Sequence, residues 1–171
     1  MDRTGACQRA RRAAVPGPGR GALWSIAMET GVSVTQLQPA AAERFVSLRR
    51  ELGVTTFGIN QIILRPGERG RIHRHEHQEE VYLVIDGTLT LYLEDEPTDI
   101  PAGGLVRIAP EVRRQIANLG PGRALIVALG GAVTHDGRDG VAFTDWQDAT
   151  GAAPQDVPLP DDIPPGELRG A

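Results

Sequence analysis

From position 56 onward the apolar residues come in short runs dense in Val, Ile and Leu, each broken by Gly, Pro or Asp. Runs of this length, bounded by turn-forming residues, are the mark of β-strands. They predict strands over 56–64, 71–75, 81–85, 88–93, 105–108, 114–119 and 124–129. Asp86 and Gly87 fall between two of them and predict a hairpin turn of the kind that needs positive φ. Upstream, Phe45, Leu48 and Leu52 recur at helical spacing and Gly53 follows them, which predicts a helix over 40–52. Many short strands at this spacing imply a sandwich or barrel. No repeat of the whole unit is visible, so one barrel is expected, all-β apart from the single helix.

Both ends of the chain lack this pattern. Residues 1–27 are Arg-rich, contain Pro16, Gly17, Pro18 and Gly19, and read as a disordered leader. Arg11 and Arg12 precede an apolar run that stops at Pro16, too short for an export signal of about 7–15 apolar residues. From Gln147 five prolines alternate with acids, the composition of a disordered or surface-draping tail over 147–171. The barrel is therefore expected over 28–146.

Of the 171 residues 40% are apolar and 23% charged, which fits a soluble globular protein. No stretch approaches the ~18 consecutive apolar residues of a membrane-spanning helix, so no membrane partner is expected. All 18 basic residues are Arg, which excludes a Schiff-base or P-loop lysine. The leader carries a net +4 and the remainder −8. An acidic body repels a phosphate backbone, so nucleic acid is not an expected partner. Cys7 is the only cysteine, which rules out an internal disulfide and a cysteine-based metal cluster. That usage suits a cytoplasmic protein.

The chemistry concentrates between Gly67 and Gly87. His73 and His75 are two apart on an extended segment, so both rings point to one face. Glu80 opens the next strand after a tight connection and comes back beside the rings if the two strands pair. Two nitrogens and one oxygen suit a divalent ion such as Mn, Fe, Co, Ni or Zn. The competing reading is a solvated, histidine-rich turn. Glu80, Tyr82 and Val84 share one face of their strand and Val81, Leu83 and Ile85 the other. Both faces are largely apolar and both need cover, the second from the Phe45 helix, an N-terminal strand or another subunit. Glu79 has the opposite parity to Glu80 and is expected to face away.

Gly67, His73, His75, Glu80 and Gly87 stand at the spacing of the first cupin motif, and this stretch resembles the cupins, small β-barrels of jelly-roll type. The resemblance implies that His73, His75 and Glu80 are metal ligands inside the barrel mouth, with His77 on the rim. It also makes a homodimer and a small-molecule ligand the expected partners. Pro101, Gly103, Pro110 and Asn118 resemble the second motif, but its fourth ligand, a His, is replaced by Arg114. The likeness runs from Gly67 to Gly120.

An arginine has no lone pair for a metal. Arg114 and Ile116 share strand parity, so a barrel-facing Ile116 brings Arg114 inward. Pointed at Glu80, Arg114 would pair with the carboxylate and oppose a divalent ion. Pointed past it, Arg114 would hold the carboxylate or phosphate of a small ligand while the three residues hold the metal. Arg114 and Tyr82 are thus the expected ligand-binding side chains. His77, Glu79 and Tyr82 are the only nearby candidates for a general base, and no catalytic residue is assigned. By resemblance the open enzymatic readings are a metal-dependent oxygenase, isomerase or lyase. The alternative is a metal-free cupin that binds a small anion through Arg114 without turnover. His135 sits in a polar, Gly-rich loop with Asp136 and Asp139 and reads as a surface residue.

Overall fold

The computed structural model describes residues 31–131 and 139–170. The chain divides into the units Met1–Val32 and Ser33–Ala171, and everything below concerns the second. The predicted leader and His135 lie outside the described residues.

Strands alternate between two facing antiparallel sheets. Strands β1 (Phe45–Val46), β2 (Gly58–Leu64), β4 (Glu79–Asp86), β7 (Leu105–Ile108) and β9 (Ala124–Gly131) form one sheet, in the order β1-β2-β9-β4-β7. Strands β3 (Ile72–His75), β5 (Thr88–Leu93), β6 (Glu96–Pro101), β8 (Arg114–Ala117) and β10 (Gly140–Phe143) form the other, in the order β10-β3-β8-β5-β6. Ile62, Leu64, Tyr82, Val84 and Ile126 of the first sheet meet Leu89, Leu91 and Ile116 of the second in one buried cluster. This is the jelly-roll arrangement the strand pattern implied, with the core between the sheets.

Besides adding β6 and β10, which no apolar run predicted, the structure departs from the sequence reading in three places that shape the fold. The Phe45 stripe is not one helix: Phe45 and Val46 pair with Ile62 and Gln61 at the sheet edge, and only Leu48–Leu52 is helical (α1). The backbone of Phe45 finds partners on β2, and the short helix is held by the burial of Leu48 and closed by Gly53 in the left-handed conformation, as expected. Secondly, Asp86 and Gly87 do not make a hairpin. They turn the chain from one sheet into the other, with Gly87 at φ 73° and so close to β9 that a Cβ would lie 2.2 Å from the Arg123 carbonyl oxygen. Thirdly, β3 and β4 do not pair but lie in opposite sheets.

Both outer faces acquire some cover. On the β2 side, Gln61 is fully buried; it accepts from the Gln38 N–H at 2.6 Å and donates to the Gln38 carbonyl at 2.9 Å, which fastens the segment before β1 across the sheet. On the opposite sheet the C-terminal tail drapes over the surface. Ile163 packs with Ala117 and Leu119, and Leu168 joins them. The tail is also hydrogen-bonded in place, the Ile163 N–H to the Gly67 carbonyl and the Arg169 N–H to the Leu119 carbonyl. No helix among the described residues is long and apolar enough to cross a membrane.

Candidate metal centre

His73 and His75 alternate with Ile72 and Arg74 along β3, which sends both imidazoles into the space between the sheets. Arg114 stands directly opposite His73 in the β3–β8 ladder and therefore shares that face. Glu80 arrives from the facing wall, on the same side of β4 as the fully buried Tyr82 and Val84. The carboxylate thus meets the rings across the barrel and not along one sheet.

His73, His75 and Glu80 each present a ligand atom within 4.8 Å of the others. Glu80 Oε2 is 3.7 Å from His73 Nε2 and 3.8 Å from His75 Nε2. These separations are too long for hydrogen bonds, but they match the ~3–4.2 Å between two ligands each about 2.1 Å from a shared ion. The rings stand edge to face, 5.6 Å between centroids. His73 Nδ1 is 3.1 Å from the Arg71 carbonyl oxygen, a contact that requires the proton on Nδ1 and leaves the Nε2 lone pair toward Glu80. His75 Nδ1 faces Asp139 Oδ2 at 3.7 Å. Two imidazoles turned this way with one carboxylate make a donor set that fits a divalent transition metal.

Two further donors close on the same carboxylate oxygen. Arg114, with no exposed surface, donates from Nη2 at 2.7 Å, and the Tyr82 hydroxyl donates at 2.6 Å. Arg114 Nη1 donates to the Val112 carbonyl at 3.2 Å, whereas its buried Nε has no hydrogen-bond partner. Burial opposes ionisation of Glu80. The polar groups around it, the Arg114 guanidinium among them, outweigh it and hold the carboxyl well below the usual range. Burial, joined by the negative charge of Glu80, pushes the Tyr82 phenol well above its ordinary value, so Tyr82 remains a donor. Arg114 and Tyr82 thus lie behind Glu80.

A cavity of about 500 Å³ opens in front of these residues. Its floor includes His75, Gln78, Glu80 and Asn60, and its far wall is α1 with the following turn, from Ser47 to Thr55. Arg49 in that wall is tied to the carbonyls of Val54 and Thr55, and Arg50 beside it is exposed. Sequence reasoning missed this wall because the residues of α1 carry no motif. Of the other predicted residues, Glu79 faces away and pairs with Arg107. His77 stands on the rim, three-quarters exposed, with Nδ1 2.8 Å from Asp139 Oδ1. Asp139 was also missed as a site neighbour, its only signal being an acid in a Gly-rich loop.

Residues 60–130 match the family model of the cupin domain. A polyketide synthase CurC from Streptomyces cyaneus is 32% identical over 76 residues, covering 44% of this chain and 49% of that protein. The chain spans about half the length of the curated relatives it matches. A cupin protein from Bacteroides fragilis superposes with a TM-score of 0.52 at 21% identity, over 64% of this chain and 92% of the other. A structure described as a sugar phosphate isomerase from a cupin superfamily, from Silicibacter pomeroyi, gives 0.53 at 20% identity, over 73% and 82%. Residues 60–130 are thus matched in sequence by the cupin domain, and the described residues share the fold of these cupin structures.

Proposed function

We propose that this protein binds one divalent transition metal, from the group Mn, Fe, Co, Ni and Zn, through His73, His75 and Glu80, and takes a small anionic molecule into the adjoining cavity. One observation carries the reading: three ligand atoms converge at separations too long for hydrogen bonds and suited to a shared ion. A metal held there would supply Lewis-acid chemistry to the bound molecule. The chain's own groups have distinct tasks. His73 and His75 offer Nε2 lone pairs. Arg114 and Tyr82 keep Glu80 ionised and hold one of its oxygens in place. Arg49 and the exposed Arg50 in the α1 wall give the cavity positive charge, which favours an anionic occupant. The reading includes a homodimer, supported by the apolar side chains Ile85 and Leu105 left exposed beside the β7 edge.

Elemental analysis of protein purified without a polyhistidine tag tests the proposal. Near-stoichiometric metal is expected, lost in His75→Ala and in Glu80→Ala; metal-free protein that takes up no added Zn, Mn or Fe would end it. The 2.7 Å contact of Arg114 with Glu80 favours a second reading, a metal-free cupin that binds small anions without turnover. It predicts a melting temperature that rises with phosphate or malonate in metal-free protein and no longer does so in Arg114→Gln.

A further inference from the structure

We propose that Asp139, which lies outside the matched cupin residues 60–130, is a positioning residue for the metal centre: it fixes the turn that joins His75 to Glu80 and directs the proton of His75 onto Nδ1. The inference rests on the proposed metal reading for one of its two readouts only.

The turn over 76–78 must carry the chain from one sheet to the other, so its backbone N–H groups have no ladder to join. Asp139 takes all three. Its carbonyl accepts from the Glu76 N–H at 3.1 Å. Its carboxylate accepts from the N–H of His77 at 3.0 Å and of Gln78 at 2.8 Å, and contacts the His77 ring at 2.8 Å. The side chain is 4% exposed. A buried group that must accept several donors at once is best served by an ionised carboxylate, which has acceptor sites only.

The same carboxylate faces the ligand. His75 Nδ1 is buried with no hydrogen-bond partner, and Asp139 Oδ2 lies 3.7 Å away. A neutral imidazole places its proton on the nitrogen that faces negative charge. Asp139 therefore draws the proton to Nδ1 and leaves the Nε2 lone pair toward Glu80. His73 reaches the same state by a different route, through the Arg71 carbonyl.

The test uses the full chain, untagged, metal-free and labelled with ¹⁵N-histidine, at a pH where the rings are neutral. Long-range ¹H–¹⁵N spectra are expected to show His75 protonated on Nδ1 in the wild type and shifted toward Nε2 in Asp139→Asn, with His73 unchanged as the control for an intact fold. Titration with zinc alone against a chromophoric chelator is expected to show affinity weakened about 10- to 100-fold in the variant. An unchanged His75 tautomer in Asp139→Asn overturns the proposal. Should the variant not fold, the wild-type spectrum decides: a His75 ring protonated on Nε2 overturns it equally. If the wild type takes up no zinc, the metal reading fails, and the tautomer still tests the role of Asp139.

Discussion

Arg114 carries a permanent charge with no exposed surface, so its worth is decided by what it touches. Removing one partner of a buried ion pair strands the other charge. Arg114→Met is therefore expected to cost about 3–5 kcal/mol in urea denaturation of the metal-free protein. Tyr82→Phe, which deletes one hydrogen bond to a charged group, is expected to cost less, about 1.5–3 kcal/mol. Toward metal the sign reverses. Arg114→His removes a cation beside the ligands and adds a lone pair at the position where the cupin motif has its fourth ligand. Metal affinity is expected to tighten about tenfold or more, a gain of about 1.4 kcal/mol, in competition with a chelator. Equal or weaker affinity would place position 114 outside the centre.

At the scale of elements, two turns carry more than their length implies. Gly87 combines a left-handed φ with a close approach to the Arg123 carbonyl, so Gly87→Ala meets strain and a clash together. A loss well above 1 kcal/mol is expected in thermal or urea unfolding. Asp148 gathers the N–H groups of Thr144, Thr150 and Gly151, and these bonds hold its carboxyl far below the ordinary aspartate range. A carboxyl depressed in the folded state stabilises above its unfolded value near ~3.9 and loses that contribution as pH falls below it. The turn is thus expected to stay closed at pH 4–5, with Asp148→Ala opening it there, read as faster hydrogen exchange at Ala152 N–H, which is bonded to the Ala142 carbonyl. The sequence made the strands over 88–93 and 105–108 legible to the residue, because their apolar runs end at turn residues. It hid β6, where Glu96, Pro97, Asp99 and Pro101 belong to a solvated edge strand that has no apolar run to show. Strand parity put His73 and His75 on one face and the motif spacing added Glu80, whereas the arrival of Glu80 from the opposite sheet, without β3–β4 pairing, was not legible. Parity says which side a residue faces but not which sheet its strand joins.

On the scale of the whole molecule, the two sheets differ in how their outer faces are closed. The β10-β3-β8-β5-β6 sheet is draped by the tail, with Val157 and Ile163 buried. The other sheet is covered on its β2 side through Gln38 and Gln61, while at its β7 edge Leu105 is 68% exposed and Ile85 40%. Leu105 sits opposite Leu83 in the ladder, so the exposed side chains continue an apolar face that ends at an open strand edge. An apolar face of this kind beside an unpaired edge invites a partner, and a second copy offers the same surface by two-fold symmetry. Sedimentation equilibrium is expected to give twice the 18.3 kDa chain mass, and Leu105→Glu to return it to one chain. Because position 105 lies on the outer face, opposite in parity to the inward-facing Val106 and Ile108, the same variant is expected to keep the metal content of the wild type. A wild type that sediments as a monomer at tens of micromolar would remove the homodimer from the proposed function and leave the proposed metal centre, whose three candidate ligands come from one chain, untouched.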